Sequence, residues 1–259
     1  MSGRSARLRA GRFVAEGPQA VREALTSPEV ESVYATAAAL ARHPEIGEGI
    51  AAATPAPALH LVSDEVLAAM SDTVTPQGMI AVCRLVDRSL SEVLGALPRH
   101  RPALVAVLNQ VRDPGNAGTV LRAADAAGAD AVILTDASVD VHNPKTVRST
   151  AGSLFHLPVV TGVPLAEAVS ALRGAGLSVL GADGAGSLDL DALQQQGDGM
   201  LTGPVAWVFG NEAWGLPEAD AGLTDALVRI PLHGRAESLN LAMAATVCLY
   251  VTARMQRLP

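Results

Sequence analysis

Short, almost wholly apolar runs separated by stretches of helical periodicity set the pattern of this chain. The runs at 104–108, 131–135, 158–160, 177–182, 205–209 and 227–230 read as strands buried on both faces, because half-exposed strands alternate apolar with polar positions. Helical patterns separate most of them, and that alternation predicts an α/β fold with a predominantly parallel sheet covered by helices on both faces. The first third reads differently. Strands are expected at 13–15, 30–35, 59–62 and 79–84, with one helix opening at Pro18 and another capped by Ser63. The second helix should place Val66, Leu67 and Met70 on its apolar side, and 47–57 reads as a loop rich in Ala, Gly and Pro. The polar, proline-flanked stretch 98–102 separates the two patterns. Residues 1–98 are therefore expected to form a smaller α/β domain and residues 99–259 a larger one. The last helix, about 239–255, shows no polar face between Leu241 and Val251, which predicts burial in the core or in a subunit interface.

Composition narrows the class. Hydrophobic residues make up 49% of the 259 positions and charged residues 17%, enough apolar surface to bury a real core. Aromatics are only 3%, so that core is built mainly of Ala, Val and Leu. No apolar run is long enough for a membrane span, and the first residues contain no apolar segment of a secretory signal. Cys83 and Cys248 sit inside apolar segments and are expected to be buried, reduced thiols, as in a cytoplasmic protein. The net charge of −7 argues against a simple nucleic-acid binder, yet Arg4, Arg7, Arg9 and Arg12 crowd the N-terminus. That cluster is either a solvated tail or an arm that grips phosphates. His43, His60, His100, His142, His156 and His233 are scattered without ligand spacing, so no metal is expected.

Three polar segments follow expected strands, where open α/β sheets collect their ligands. In the first, Asp113-Pro114-Gly115-Asn116 is a turn, Asn116 is suited to cap a helix starting near Ala117, and Arg122 follows among alanines, a half-buried cation in want of an anion. Asp125 and Glu212 are candidate partners, and an RNA phosphate or a developing alkoxide is the functional alternative. The second segment runs from Phe209 to Leu216 and sets Glu212 between Gly210 and Gly215, glycines that let main chain approach a ligand closely. The third runs from Ile230 to Asn240, with Ser238 placed to cap the apolar helix. Trp207 alternates with strand residues and reads as core. Trp214 is open to packing or to stacking on a base or on adenine.

Together these segments resemble the SpoU/TrmH family of RNA 2′-O-methyltransferases, within the SPOUT superfamily. Asn116 and Arg122 match its first motif, Gly210, Glu212 and Gly215 its second, and Ile230, Pro231, Gly234, Ser238, Leu239 and Asn240 its third. Asn143, Lys145, Arg148 and Gly152 resemble the intervening segment, so the likeness spans about 104–255. The stretches 11–17 and 75–78 resemble an N-terminal L30e-like substrate-binding domain, which favours ribosomal RNA over tRNA.

The resemblance implies a trefoil knot, a homodimer joined through the last helix, and S-adenosylmethionine held near Gly210, Ile230, Leu232 and Leu239. It implies Asn116, Arg122, Glu212, Ser238 and Asn240 as the catalytic set. Asn116, Ser238 and Asn240 would orient the ribose, and Glu212 would fix the arginine. Arg9, Arg12, Lys145 and Arg148 are the expected RNA contacts. Family members are often read as using the arginine as a base. A guanidinium, however, has a pKa above about 12 and stays charged, so stabilising an alkoxide suits it better. His233 and a water relay are the other candidate proton acceptors. Competing readings are a tRNA substrate, a non-catalytic ribosome-assembly factor, and a nucleotide-binding oxidoreductase. The last rests on Gly181 to Gly186, which lack the G-x-G-x-x-G spacing.

Overall fold

The computed structural model describes residues 3–197 and 199–257. Among these described residues, eleven strands form two sheets. The first contains β1 (Arg12–Glu16), β2 (Val30–Ala35), β3 (Ala58–Leu61) and β4 (Met79–Arg84) in the order β1-β4-β2-β3. Only the β2–β3 pairing in it is parallel. The second contains β5 (Leu104–Leu108), β6 (Ala131–Thr135), β7 (Val159–Val163), β8 (Ser178–Ala182), β9 (Leu188–Asp189), β10 (Val205–Phe209) and β11 (Ala226–Arg229). Its order is β7-β6-β5-β10-β8-β11-β9, and every pairing is parallel. The expected α/β class and parallel sheet are therefore present.

β5, β6 and β10 are buried at all of their positions, as their unbroken apolar runs required. Val105, Val107, Ile133, Val179 and Val208 belong to one packed cluster with Leu172 and Val169 of the helix Leu165–Gly174. On the C-terminal helix, Leu241–Met255, the buried positions include Ala245, Cys248 and Leu249. Trp207 is fully buried and donates its indole N–H to Thr252 Oγ1 at 2.9 Å. No helix among the described residues is long and apolar enough to cross a membrane.

The chain divides differently from the expected break after residue 98. Among the described residues, one compact unit comprises 3–86 with 140–156, the other 87–139 with 157–197 and 199–257. The helix Leu90–Gly95 goes with the second unit because Val93, Leu90 and Leu94 pack into its core. The excursion 140–156 goes with the first. There Arg7 Nε donates to Asp140 Oδ2 at 2.9 Å, and the Phe13 ring lies 4.8 Å from His142 and 6.0 Å from Phe155. Polar side chains buried against another part of the chain leave no periodic trace, so the sequence pattern could not reveal this exchange.

Other differences are local. Residues 44–52, inside and before the expected loop, form the helix Pro44–Ala52. Pro44 presets its first turn and Ile46 and Ile50, four apart, bury on one face, which outweighs the weak propensity of Gly47 and Gly49. Val66 and Met70 are exposed and only Leu67 of that trio is buried. β9, two residues long, was too short to show a period. The N-terminal arginines are not a loose tail. Arg4, Arg7 and Arg9 lie on a helix, Arg4–Ala10, with Arg7 buried, and Arg12 opens β1.

Candidate active site

The carboxyl ends of β5, β10, β8 and β11 are neighbours in the second sheet, and the polar segments leave from there. A cavity of about 310 Å³ opens at this end, lined by loops that follow β8, β10 and β11. Gly210, Ile230, Leu232 and Leu239 all line it, as do Glu212 and Ser238.

Main-chain crowding explains the glycines. A Cβ on Gly210 would fall 2.3 Å from the Gly215 carbonyl carbon. Gly215 itself has φ +67°, in the left-handed region. Between them Asn211 and Gly215 exchange backbone hydrogen bonds of 2.9 Å, and Asn211 Oδ1 accepts from Ala213 N–H. Asn211 Nδ2 also donates to the carbonyl of Gln110 at 2.6 Å. Gln110 has φ +54°, a strained conformation for a residue with a side chain. Its N–H donates to Thr135 Oγ1, which in turn donates to the buried Asn109. The loop after β5 is thus pinned from both neighbouring strands.

Helix caps decide which side chains are free for the site. Asp113, not Asn116, caps the helix Pro114–Ala127, its Oδ1 accepting from Asn116 N–H at 2.7 Å. Pro114 in the first turn sets this start. The Asn116 amide is left to join two other segments. Its Nδ2 donates to Glu212 Oε1 at 3.3 Å, and its Oδ1 accepts from Asn240 Nδ2 at 3.0 Å. Likewise Asn240, not Ser238, caps the C-terminal helix, with Oδ1 accepting from Ala242 and Met243 N–H. Ser238 is left at the cavity wall with no hydrogen-bond partner among the described residues.

Glu212 does not hold Arg122. It accepts from Asp113 N–H at 3.0 Å, from Arg112 N–H at 3.3 Å and from Asn116. It therefore clamps the turn 112–116. Arg122 is exposed rather than half-buried and makes no hydrogen bond or ion pair among the described residues. Neither Asn116, Arg122 nor Asn240 lines the cavity itself. The first and last of these reach its rim through Glu212.

Sequence reasoning missed one lining segment, Ala182, Asp183 and Gly184. Its signal was a polar glycine turn after β8, weighed only for dinucleotide spacing. Asp183 Oδ1 accepts from Ala185 N–H at 2.8 Å. With it, the charged side chains of the lining are Asp183, Glu212 and Glu237, all carboxylates.

The expected RNA contacts, all in the first unit, differ from one another. Arg12 pairs with Glu31, and Arg148 Nη1 lies 3.4 Å from Glu16 Oε2. Arg9 and Lys145 are exposed, with no side-chain partner among the described residues. Cys83 and Cys248 are buried free thiols, and burial, with Glu31 and Glu29 nearby, pushes Cys83 up to about 12. Among the described residues no group of three or more His, Cys, Asp or Glu could hold a metal ion.

Comparison with known proteins bears on this geometry. Residues 103–250 match the SpoU rRNA Methylase family, and residues 1–81 match the MRM3-like substrate binding domain. The chain is 33% identical, over 94% of its length and 89% of the relative's, to the 23S rRNA (guanosine(2553)-2'-O)-methyltransferase RlmP of Bacillus subtilis. It is 36% identical to the 23S rRNA (uridine(2479)-2'-O)-methyltransferase of Streptomyces viridochromogenes, over 70% of this chain and 61% of that one. Among solved structures, the AdoMet-bound rRNA methyltransferase from Sinorhizobium meliloti matches with a TM-score of 0.82 and 30% identity, covering 100% of this chain and 92% of the other. The SpoU methyltransferase AviRb from Streptomyces viridochromogenes, in complex with AdoMet, matches at 0.79 and 30%, covering 97% and 93%.

Proposed function

This chain belongs to the SpoU rRNA Methylase family, and from that premise we propose that it transfers a methyl group from S-adenosylmethionine to a ribose 2′-hydroxyl of ribosomal RNA in the cytoplasm. 23S rRNA is the favoured substrate, because relatives along most of the chain are named for it.

The cavity suits the donor. Its volume of about 310 Å³ is that of a small-molecule site, and Gly210 and Gly215 expose main chain to it. Its apolar wall of Ile230, Leu232 and Leu239 suits a purine, and its carboxylates suit a positively charged sulfonium. When bound, the donor supplies an electrophilic methyl on that sulfur.

The chain's own residues then orient and stabilise. The hydrogen-bonded series Glu212–Asn116–Asn240 carries the proposal, because it fixes polar groups from three loops at the cavity rim. It would orient the ribose, together with the unengaged Ser238 hydroxyl. The Arg122 guanidinium acts on the negative charge that develops on the attacking oxygen, while the hydroxyl proton leaves to solvent. Arg9 and Lys145 are the proposed phosphate contacts. The C-terminal helix presents exposed Met243, Val247 and Tyr250 at spacings of four and three, one helical stripe. A second copy of the chain is the proposed cover, and light scattering after gel filtration tests it.

The test of function incubates the protein with radiolabelled S-adenosylmethionine and unmodified 23S, 16S and tRNA separately, followed by digestion to nucleosides. A labelled 2′-O-methyl nucleoside in the 23S pool is expected. Label only in tRNA would move the substrate, and a protein that binds no cofactor would be a non-catalytic factor.

A further inference from the structure

The two tryptophans differ sharply. Trp207 is fully buried and hydrogen-bonded, whereas Trp214, in the turn after β10, is 48% exposed. An exposed indole in a chain with so few aromatics calls for an account. Its neighbours Ala213 and Gly215 line the cavity, but Trp214 does not. The turn thus reaches the cavity wall through Ala213 and Gly215, while Trp214 stays outside the lining.

The turn does not need the indole. Asn211 and Gly215 close it through main-chain bonds, and Asn211 Oδ1 ties Ala213 into it. The indole N–H has no hydrogen-bond partner among the described residues. What the ring does have is a cation. The Arg112 guanidinium carbon lies 5.1 Å from the ring centroid, over its face. Arg112 also donates its backbone N–H to Glu212, so ring and cation ride on the clamp that holds Asn116.

We infer that Trp214 is a stacking surface for an unpaired base of the RNA substrate, outside the cofactor cavity. Arg112 backs one face and leaves the other to the base, and its charge lies where an adjoining phosphate would approach. Stacking on an aromatic ring is the general means by which proteins hold unstacked bases, and it tolerates any base because each has a π-face. The inference rests on the reading of this chain as an RNA methyltransferase.

Three variants test it, Trp214→Ala, Trp214→Phe and Trp214→Leu, with in vitro transcribed 23S rRNA as the probe. KM for RNA, kcat, and the affinity for S-adenosylhomocysteine are measured for each. Trp214→Ala should raise KM for RNA roughly ten-fold, within the range for one stacked base, with kcat and S-adenosylhomocysteine affinity nearly unchanged. Trp214→Phe should recover most of the loss. Trp214→Leu, which keeps apolar bulk without a π-face, should not. Weakened S-adenosylhomocysteine binding in the alanine variant would assign the ring to adenine and overturn the inference. Full recovery by leucine would make the role packing and overturn it too. An unchanged KM in a methylating wild-type background refutes the inference alone. A wild-type protein that methylates no RNA refutes the functional reading and takes the inference with it.

Discussion

Asn240 Nδ2 lies 3.0 Å from Asn116 Oδ1, a bond between segments 124 positions apart. Each asparagine also does a second job. Asn240 caps the C-terminal helix and Asn116 reaches Glu212. The jobs can be separated. Asn240→Asp keeps the cap, which a carboxylate serves as well, but removes the donor to Asn116. Stability should change by no more than about 0.5 kcal/mol, while methyl transfer should fall roughly ten- to hundred-fold through lost orientation. Thermal denaturation and single-turnover rates read the two effects apart, and a fully active variant would show that the series is dispensable.

Arg122 makes no hydrogen bond or ion pair among the described residues that its loss would disturb. Arg122→Ala should therefore leave the melting temperature and cofactor binding nearly intact and abolish methyl transfer. Calorimetric titration with S-adenosylhomocysteine, beside an activity assay, checks both. Substantial remaining activity would remove Arg122 from the mechanism.

Gly210→Ala puts a methyl 2.3 Å from the Gly215 carbonyl carbon. The obstacle is main chain, so no side chain can swing away. A destabilisation of about 1–3 kcal/mol is expected, with loss of cofactor binding as the turn shifts. Measured cofactor affinity equal to wild type would show that the turn does not contact it.

Arg9 and Lys145 stand apart from Arg12 and Arg148, whose charges are already paired. Replacing Arg9 and Lys145 together with alanine should weaken RNA binding across sequences and lower the salt slope of log K by roughly 2. Replacing Arg12 should do less. Filter binding of 23S rRNA across a salt series decides between them.

Asp140 anchors the excursion 140–156 through Arg7. Burial alone would raise its carboxyl, but hydrogen bonds from His142 and Arg7 outweigh this and hold it well below the usual carboxylate range. A depressed folded value means the contribution is full above the unfolded value of about 4 and is lost as pH falls toward the folded one. Asp140→Asn should cost about 3 kcal/mol at neutral pH, and the gap from wild type should narrow below about pH 4. Urea denaturation at several pH values measures it. A gap independent of pH would mean that the ion pair is not its source.

The central strands of the second sheet were legible because burial on both faces demands unbroken apolar runs, and β5, β6 and β10 end where those runs end. The lining of the cavity was legible through its residue types, glycine at the close approach and aliphatic groups after β11. The caps were misplaced by two or three residues at both site helices. Asp, Asn and Ser are near-equal caps, and only the final backbone conformation selects among them.

By itself, then, the sequence determined the α/β class, the parallel sheet and the segments that meet at its carboxyl end, since each of these follows from local pattern. The tertiary structure decided the rest. It gave Glu212 a turn to hold instead of an arginine, released Asn116 and Ser238 from capping, brought Asp183 into the wall, and returned 140–156 to the first unit. The Glu212 clamp, Asp183 in the wall and the return of 140–156 join groups remote in the chain, which leave no periodic signal along it, and the caps follow the final backbone conformation.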